Sequence, residues 1–219
     1  HYAMPAVTVE AERLQLALSW TTLLQRRVTV TTLKIEQLAI ALHDTDSTPA
    51  PDTGPLTLAD IPDIRLPVTL AIPGGEVQGF SLTPAGGAPV QLDRILLAAS
   101  TDTGHQLQLQ QLFASQGAYQ ASLGGTLSLL SPFPVDAWLD WQAPLPPAAQ
   151  ETFASDTPAQ GEARLRGDLA RLALTHRLRN PVLLTTEGEL APFEAPLRFH
   201  LSHQWQPFTV HTPSDAEAG

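Results

Sequence analysis

The stretch Leu14-Gln15-Leu16-Ala17-Leu18-Ser19-Trp20 places a large apolar residue at every second position, and Gln106-Leu107-Gln108-Leu109-Gln110 repeats the pattern. Successive side chains of a β-strand point to opposite faces of the sheet, so this period of two predicts one apolar face and one polar face. The pattern returns along almost the whole chain, whereas amphipathic helical patterns are scarce. The apolar face must therefore be covered by a second sheet, by the curvature of the sheet itself or by a lipid.

Length and composition are those of one large all-β domain. The chain has 219 residues, of which 43% are hydrophobic, and all-β domains of this size are commonly undivided. Twelve Lys and Arg residues stand against 22 Asp and Glu residues, which gives a net charge of −10. This is the wrong sign for a phosphate backbone or an anionic bilayer surface, so we expect no nucleic-acid partner.

The ends of the chain and its missing residue types bear on its origin. There is no cysteine, so disulfides and thiolate metal sites are excluded, which suits the cytosol or a bacterial envelope. The sequence contains no long apolar run and no signal peptide. We interpret residues 1–4 as a tag remnant, residues 5–212 as a single β domain from a longer protein, and residues 213–219 as a disordered tail.

The coarse secondary structure is a succession of about eleven to thirteen strands. Four interruptions are predicted: a helical turn at Leu23–Arg27, a long loop over residues 43–63 with a turn at Leu58–Asp60, a hairpin turn at Pro73–Gly75, and a second long loop over Ala143–Gln160. Several strands also shift their phase part-way, as between Glu10 and Arg13, which predicts bulges that bend a sheet.

The predicted fold is therefore all-β, a long, curled, largely antiparallel sheet with an apolar concave face and very little helix. One flat sheet of that many strands would be about 50 Å across, and open sheets of this width normally curl.

Catalytic and metal-binding patterns are weak. No Gly-x-Ser-x-Gly elbow is present, and the turn glycines lack a phosphate loop's Lys. His200 and His203 fall on opposite strand faces, so they cannot ligate one metal together. Asp44, Asp46 and Asp52 lack the glycine and distal glutamate of an EF-hand loop. The clustered arginines of residues 164–179 favour a solvated face over an anion site. We predict no enzyme, no metal and no cofactor.

Three stretches of the sequence resemble a known family. Leu18–Ile35, with its Leu23-Leu24-Gln25-Arg26-Arg27 turn, is similar to the segment near the start of AsmA-like proteins, and especially of the TamB family, the inner-membrane subunit of the translocation and assembly module. Ala163–Leu174 and Leu183–Leu190 resemble the family's recurrent Leu-x-Gly-Asp-Leu-x-x-Leu-x-Leu and Thr-x-Glu-Gly-x-Leu phrases. The resemblance spans residues 7–206 and includes no anchor helix and no C-terminal domain of the family.

The resemblance implies a fold, a place and a function. It implies a folded-over "β-taco" sheet with an apolar groove, in a periplasmic segment close to the N-terminal anchor in the inner membrane. The implied function is to shelter phospholipid or other acyl chains for transport between the two membranes and for outer-membrane biogenesis. The implied partners are such lipids and, through parts outside this segment, a TamA-like outer-membrane barrel protein.

The residues expected to line the groove are the large apolar members of the alternating strands, which shelter hydrocarbon from water without directional contacts. They are Leu14, Leu16, Leu18, Leu38, Ile40, Leu42, Val68, Leu70, Ile72, Leu107, Leu109, Leu127, Leu129, Phe199 and Leu201. Two alternatives stay open. An open edge strand suits the binding of unfolded outer-membrane protein precursors, and the same residues suit the core of a closed β-sandwich that acts as an interaction module.

Overall fold

The computed structural model describes residues 6–43, 57–102, 104–194 and 198–208, and these form one sheet of eleven strands. The order of the strands in the sheet is their order in the chain. They are β1 (Ala6–Ser19), β2 (Arg27–His43), β3 (Thr69–Thr83), β4 (Val90–Thr101), β5 (Gln106–Gln116), β6 (Tyr119–Ser128), β7 (Val135–Ala143), β8 (Ala159–Asp168), β9 (Arg171–Asn180), β10 (Leu184–Ala191) and β11 (Arg198–Trp205). The predicted all-β class is confirmed.

The sheet is open and almost entirely antiparallel. Only β2 and β3 pair in parallel, and β1 and β11 form its two edges within the described residues. A parallel pair requires the chain to return to the starting end of the sheet, which explains the long connection after β2. The last part of that connection runs along the ends of other strands, since the amide of Ile64 donates to Leu129 O (3.0 Å) and the amide of Leu66 to Gly104 O (2.9 Å). The concavity of the apolar face stays a prediction.

The hairpin predicted at Pro73–Gly75 is wrong. β3 runs straight through these residues, with a register shift between Ile72 and Gly75. Proline and glycine also mark bulges, because a bulge leaves one amide without a partner and benefits from a missing side chain. A Cβ atom on Gly75 would lie 3.1 Å from the side chain of Leu33 on β2. The glycine therefore makes room for a neighbouring leucine instead of turning the chain.

The predicted loop over Ala143–Gln160 contains a helix, α2 (Pro147–Phe153). Pro147 lies in its first turn, where the missing amide costs nothing, and Ala154 ends it in the left-handed region with φ of 45°. The four prolines of this segment hid the helical residues between them. Near the start of the chain, helix α1 (Trp20–Leu23) begins three residues before the predicted turn, and the turn predicted at Leu58–Asp60 is confirmed as a 3-10 helix.

The alternation of apolar and polar residues shifts by one residue at neighbouring positions of β2 and β3. Gln37 (φ 53°) and Gly79 (φ 70°) lie side by side, because Glu36 pairs with Gln78 and Leu38 with Phe80. Just before Gln37 and Gly79 the apolar positions are odd-numbered (residues 33 and 35 on β2, 75 and 77 on β3), and just after them they are even-numbered (residues 38 and 40 on β2, 80 and 82 on β3). Positive φ interrupts the alternation of side chains, so the apolar positions stay together on one face of the sheet.

Little of this sheet is deeply buried. Among the described residues the buried apolar side chains are Val30, Phe133, Leu145, Leu172 and Val182, and no side chain is fully buried. The large apolar side chains exposed on the two edge strands are Val7, Val9, Leu14 and Leu16 of β1 and Phe199, Leu201 and Trp205 of β11. The fold thus leaves an extended apolar surface without a second sheet of this chain against it in the described part.

Candidate apolar binding face

One row of cross-strand partners crosses all eleven strands and is apolar throughout. Residues directly opposite each other on paired strands share a face of the sheet. This first row consists of Leu14, Ile35, Val77, Ile95, Ala114, Ala121, Trp141, Gly161, Leu178, Leu184 and Trp205. Its two ends are exposed and its middle is half-buried, so no protein layer seals it.

A second row lies two residues along each strand on the same face. It consists of Leu16, Leu33, Gly75, Leu97, Leu112, Leu123, Leu139, Ala163, His176, Thr186 and His203. It is apolar from β1 to β8 and polar on β9, β10 and β11. The apolar face therefore changes character at its last three strands.

Two shorter rows continue the face. The third row runs through Ile72, Ala99, Leu109, Gly125, Ala137, Leu165, Leu174, Gly188 and Leu201. The fourth row runs through Thr101, Leu107, Leu127, Val135, Gly167, Leu172, Leu190 and Phe199. The third row contains no polar side chain, and the fourth contains one, the hydroxyl of Thr101 at its β4 end.

The opposite face is mainly polar, with Leu96 and Phe113 as apolar members on β4 and β5. The row between the first two consists of Gln15, Lys34, Glu76, Leu96, Phe113, Ser122, Asp140, Glu162, Arg177, Thr185 and Gln204. The clustered arginines lie here, and four of them pair with carboxylates. Arg164 and Arg166 contact Asp136 at 3.2 and 3.3 Å, while Arg177 and Arg179 contact Glu162.

These ion pairs belong to a solvent-facing surface. The paired arginine side chains of β8 and β9 are 50–63% exposed. Hydrogen bonds from Arg164 lower the pKa of the Asp136 carboxyl below its ordinary value, with the positive charges of Arg164 and Arg166 acting in the same direction. A shallow depression of about 370 Å³ beside them is lined by Trp138, Glu162, Arg164, Thr175 and Arg177. Its charges already satisfy one another.

The structure places most of the predicted lining residues on the apolar face. Leu14 and Leu16 belong to the first two rows, and Leu18 pairs with Val30. Beyond the change of phase, Leu38 pairs with Ala11, Ile40 with Val9, and Leu42 with Val7. Ile72, Leu109 and Leu201 lie in the third row, and Leu107, Leu127 and Phe199 in the fourth.

Three predicted residues lie at the end of the sheet. Leu70, early in β3, pairs with Val28, and its amide donates to Thr101 Oγ1 (2.7 Å). Val68 precedes β3, and Leu129 follows β6. The amide of Leu129 donates to His105 O at 2.6 Å. Val68 and Leu129 therefore belong to the rim of the face rather than to its rows.

Sequence analysis missed the polar part of the face. Trp141 Nε1 donates to His176 Nε2 (3.3 Å), and the two rings are nearly parallel at 7°. Thr186 Oγ1 and His203 Nδ1 lie 2.9 Å apart. The available signal was a polar residue at an apolar phase position, as at His176 between Leu174 and Leu178.

Helix α2 and the segment after β11 form an aromatic cluster that sequence analysis also missed. The rings of Phe153 and Phe208 are 6.0 Å apart, and those of Trp205 and Phe208 are 6.4 Å apart. Trp205 is the last member of the first row. The helix between β7 and β8 therefore contacts the segment that follows the edge strand β11.

His200 pairs with Glu189 and His203 with Thr186, so the two histidines lie on opposite faces. No cluster of three metal-ligating residues is found in the described ranges. Asp44, Asp46 and Asp52 lie outside those ranges, as does the predicted tail over 213–219. α1 and α2, four and seven residues long, are too short to cross a bilayer.

Comparison with known proteins gives one match. The family described as TamB, N-terminal domain, matches residues 52–218, which is more than half of the chain. No curated protein and no solved structure matches. The matched range begins in the connection before β3 and includes β3 to β11. The chain belongs to the TamB family, within which it matches the N-terminal domain.

Proposed function

We propose that this chain binds the acyl chains of phospholipids on its apolar face and acts in the transport of lipid between the two membranes of the bacterial envelope. The TamB family is a transport and assembly module and not a family of enzymes. We place the chain in the periplasm, in a protein anchored in the inner membrane by another segment, with an outer-membrane protein as its partner.

The observation that carries the proposal is the first row. It presents an apolar residue on each of eleven strands, and at about 4.8 Å per strand it extends for roughly 50 Å. Each methylene group taken out of water on such a surface contributes about 0.8 kcal/mol. Because these contacts have no preferred direction, they allow a hydrocarbon chain to slide.

The opposite, charged face also supports binding of lipid on the apolar face. Its arginines and carboxylates pair with each other and stay exposed, so the charged face is stable in water. The apolar face, in contrast, is stabilised when something covers it. A closed β-sandwich would bury it under a second sheet, and the described residues form a single sheet.

Two neighbouring leucines of β4 give a matched test. Leu97 lies in the second row, opposite Leu112, whereas Leu96 lies on the polar face, opposite Phe113. Both are half-buried. The chain and the variants Leu97→Asp and Leu96→Asp would be purified without detergent, and bound phospholipid would be quantified by native mass spectrometry and lipid extraction.

We expect phospholipid on the unmodified chain and on Leu96→Asp, and at least threefold less on Leu97→Asp, because a carboxylate on the apolar face opposes hydrocarbon there. Circular dichroism of both variants checks that the sheet is retained. A chain that carries no lipid, or two variants that lose lipid equally, would contradict the proposal.

A second candidate function is the binding of outer-membrane protein precursors, favoured by the edge strand β11. All eight of its residues are exposed, and its outer side has no strand partner in the described residues. An extended polypeptide can add to such an edge through backbone hydrogen bonds. A photo-crosslinker at Ser202 of β11 should then capture an unfolded outer-membrane protein, while the same group at Ser122 of the central strand β6 should not. Equal capture at both positions would contradict edge binding.

A further inference from the structure

Hydrogen-bonding side chains on the apolar face are concentrated at one place. In the four rows, one residue with polar side-chain atoms, Thr101, lies alone at the β4 end of the fourth row. The others lie together on β7 and on β9 to β11, and they are Trp141, His176, Thr186, His203 and Trp205. Each of β9, β10 and β11 replaces one apolar position of its alternation by a histidine or a threonine, and all three replacements fall in the second row. We call His176, Thr186 and His203 the His–Thr–His cluster.

The hydrogen bond from Trp141 fixes the tautomer of a neutral His176, whereas the direction of the hydrogen bond between Thr186 and His203 depends on the tautomer of His203. His176 Nε2 accepts the indole proton of Trp141, so the Nδ1 atom of a neutral His176 carries the hydrogen and is a donor. When Thr186 Oγ1 donates to His203 Nδ1, the Nε2 atom of His203 is likewise a donor. No other hydrogen bond to these rings is found in the described part of the chain.

The cluster extends from a sheltered position to an open one. Thr186 is only 8% exposed, His176 is half-buried, and His203 is exposed on the edge strand. Two strand spacings separate β9 from β11, so the cluster is about 10 Å wide. A ligand can enter from the β11 edge and reach the less exposed hydrogen-bond donors of the cluster. Because a buried donor without a partner is unfavourable, a ligand that accepts its hydrogen bond is stabilised there.

The charge around the cluster favours an acceptor. None of the four rows contains a carboxylate. Glu187 and Glu189 occupy the alternate positions of β10, and Glu162 that of β8, so these acids belong to the opposite face. A group rich in hydrogen-bond acceptors and negatively charged fits donors that have no acidic neighbour on their own face.

Apolar surface continues from the cluster along the same strands. Leu174 and Leu172 lie two and four residues before His176 on β9, and Leu201 and Phe199 lie two and four residues before His203 on β11. An amphiphile with its polar head at the cluster would lay its hydrocarbon over the third and fourth rows.

We propose that the His–Thr–His cluster binds the phosphate group of a phospholipid whose acyl chains lie on these rows. This inference rests on the proposed function and adds to it a fixed position for the head group. The same donors would also suit free phosphate, and the test separates the two sources.

The test compares ligands that share their chains and differ in phosphate. Dihexanoyl phosphatidylglycerol, dihexanoylglycerol and inorganic phosphate would be titrated into the full chain by calorimetry. The variant is His176→Leu with His203→Leu, and the control is His200→Leu, which removes an imidazole from the opposite face of β11. The single variant His203→Leu, on the exposed edge, guards against a folding defect of the double variant.

We expect the phospholipid to bind at least tenfold more tightly than the diacylglycerol. The double variant should bring this ratio close to one without weakening the diacylglycerol, the single variant should lower it part-way, and the control should retain it. An unchanged ratio in the variants, or equal binding of both lipids by the unmodified chain, would overturn the head-group site and leave the apolar face in place.

Two further outcomes of the titrations would separate a failure of the proposed function from a failure of the head-group site. If neither lipid binds, the proposed function fails and the head-group site fails with it. If inorganic phosphate binds, the double variant abolishes this binding and phospholipid does not compete with it, the cluster is a site for free phosphate and the lipid assignment is overturned.

Discussion

The indole of Trp141 on β7 lies directly over Gly161 on β8. A Cβ atom on Gly161 would be 2.7 Å from the indole, closer than real Cβ contacts, although the glycine itself has no positive φ. The space left by the missing side chain is what allows Trp141 to extend toward His176 on β9. Gly161 therefore connects the packing of the first row to the polar cluster.

Gly161→Ala should destabilise the sheet. The added methyl group must displace the indole and weaken its hydrogen bond to His176, and overpacking of this kind costs about 1–3 kcal/mol. The free energy of unfolding in urea measures the effect. Gly74→Ala is the control, since a Cβ atom there would meet nothing within 4 Å. Equal stability of the two variants would contradict the packing role of Gly161.

A second prediction concerns the backbone strain at Gln37, the neighbour of Gly79. Gln37 has a φ of 53°, a conformation that glycine adopts more readily than residues with a Cβ atom. Gln37→Gly should therefore raise the free energy of unfolding by up to about 1 kcal/mol, whereas Gln15→Gly, at an ordinary extended position of β1, should lower it by about 0.5–1 kcal/mol. Urea unfolding of both variants measures the difference. A loss of stability in both would show that the left-handed conformation at Gln37 carries no strain.

Alternation made the strands predictable, since each strand needs only its own residues to show which face is apolar. Leu107 and Leu109 were assigned in this way, and the register places them in neighbouring rows. The phase change near Glu10 was visible too. The sequence did not show that neighbouring strands shift their alternation at matching positions. This match depends on Gln37 and Gly79, which are distant in sequence and become adjacent only when β2 and β3 pair.

Short sequence patterns that are compatible with two local structures predicted the fold less well. Pro73, Gly74 and Gly75 suit a bulge as well as a turn, and only the pairing of β3 with its neighbouring strands decides between them. The polar cluster escaped because His176, Thr186 and His203 come from three strands. Each looks like an isolated exception to alternation until pairing puts them in one row.

Asp102 makes stability depend on pH. Its Oδ1 accepts the amides of Gln106 and His105, at 2.7 and 3.0 Å, and these hydrogen bonds hold its pKa below the ordinary value of 3.8. A carboxyl with a lowered pKa in the folded state contributes stability above pH 3.8, and this contribution is lost as the pH falls through the folded-state pKa.

The stability difference between the unmodified chain and Asp102→Asn should therefore be full at pH 5–7 and should shrink below pH 3.8. Urea unfolding at several pH values measures it. Asp156→Asn is the control, since no hydrogen bond to the Asp156 carboxylate is found among the described residues. A difference for Asp102 that persists undiminished at the lowest pH would mean that these hydrogen bonds do not depend on the charge.

Phe153 should hold α2 against the end of the sheet. Its ring lies 6.0 Å from that of Phe208, which in turn neighbours Trp205 at the edge, and an aromatic pair of this kind contributes about 0.5–1.5 kcal/mol beyond the area it buries. Phe153→Ala should speed amide hydrogen exchange in residues 147–153 by about threefold to tenfold and leave exchange in β7 unchanged. Thr152→Ala, in the same helix, is the control, because among the described residues the Thr152 hydroxyl donates only to Ala148 O, within the helix. If exchange in α2 is the same for the unmodified chain and Phe153→Ala, the helix is held by its flanking backbone and not by the aromatic contact.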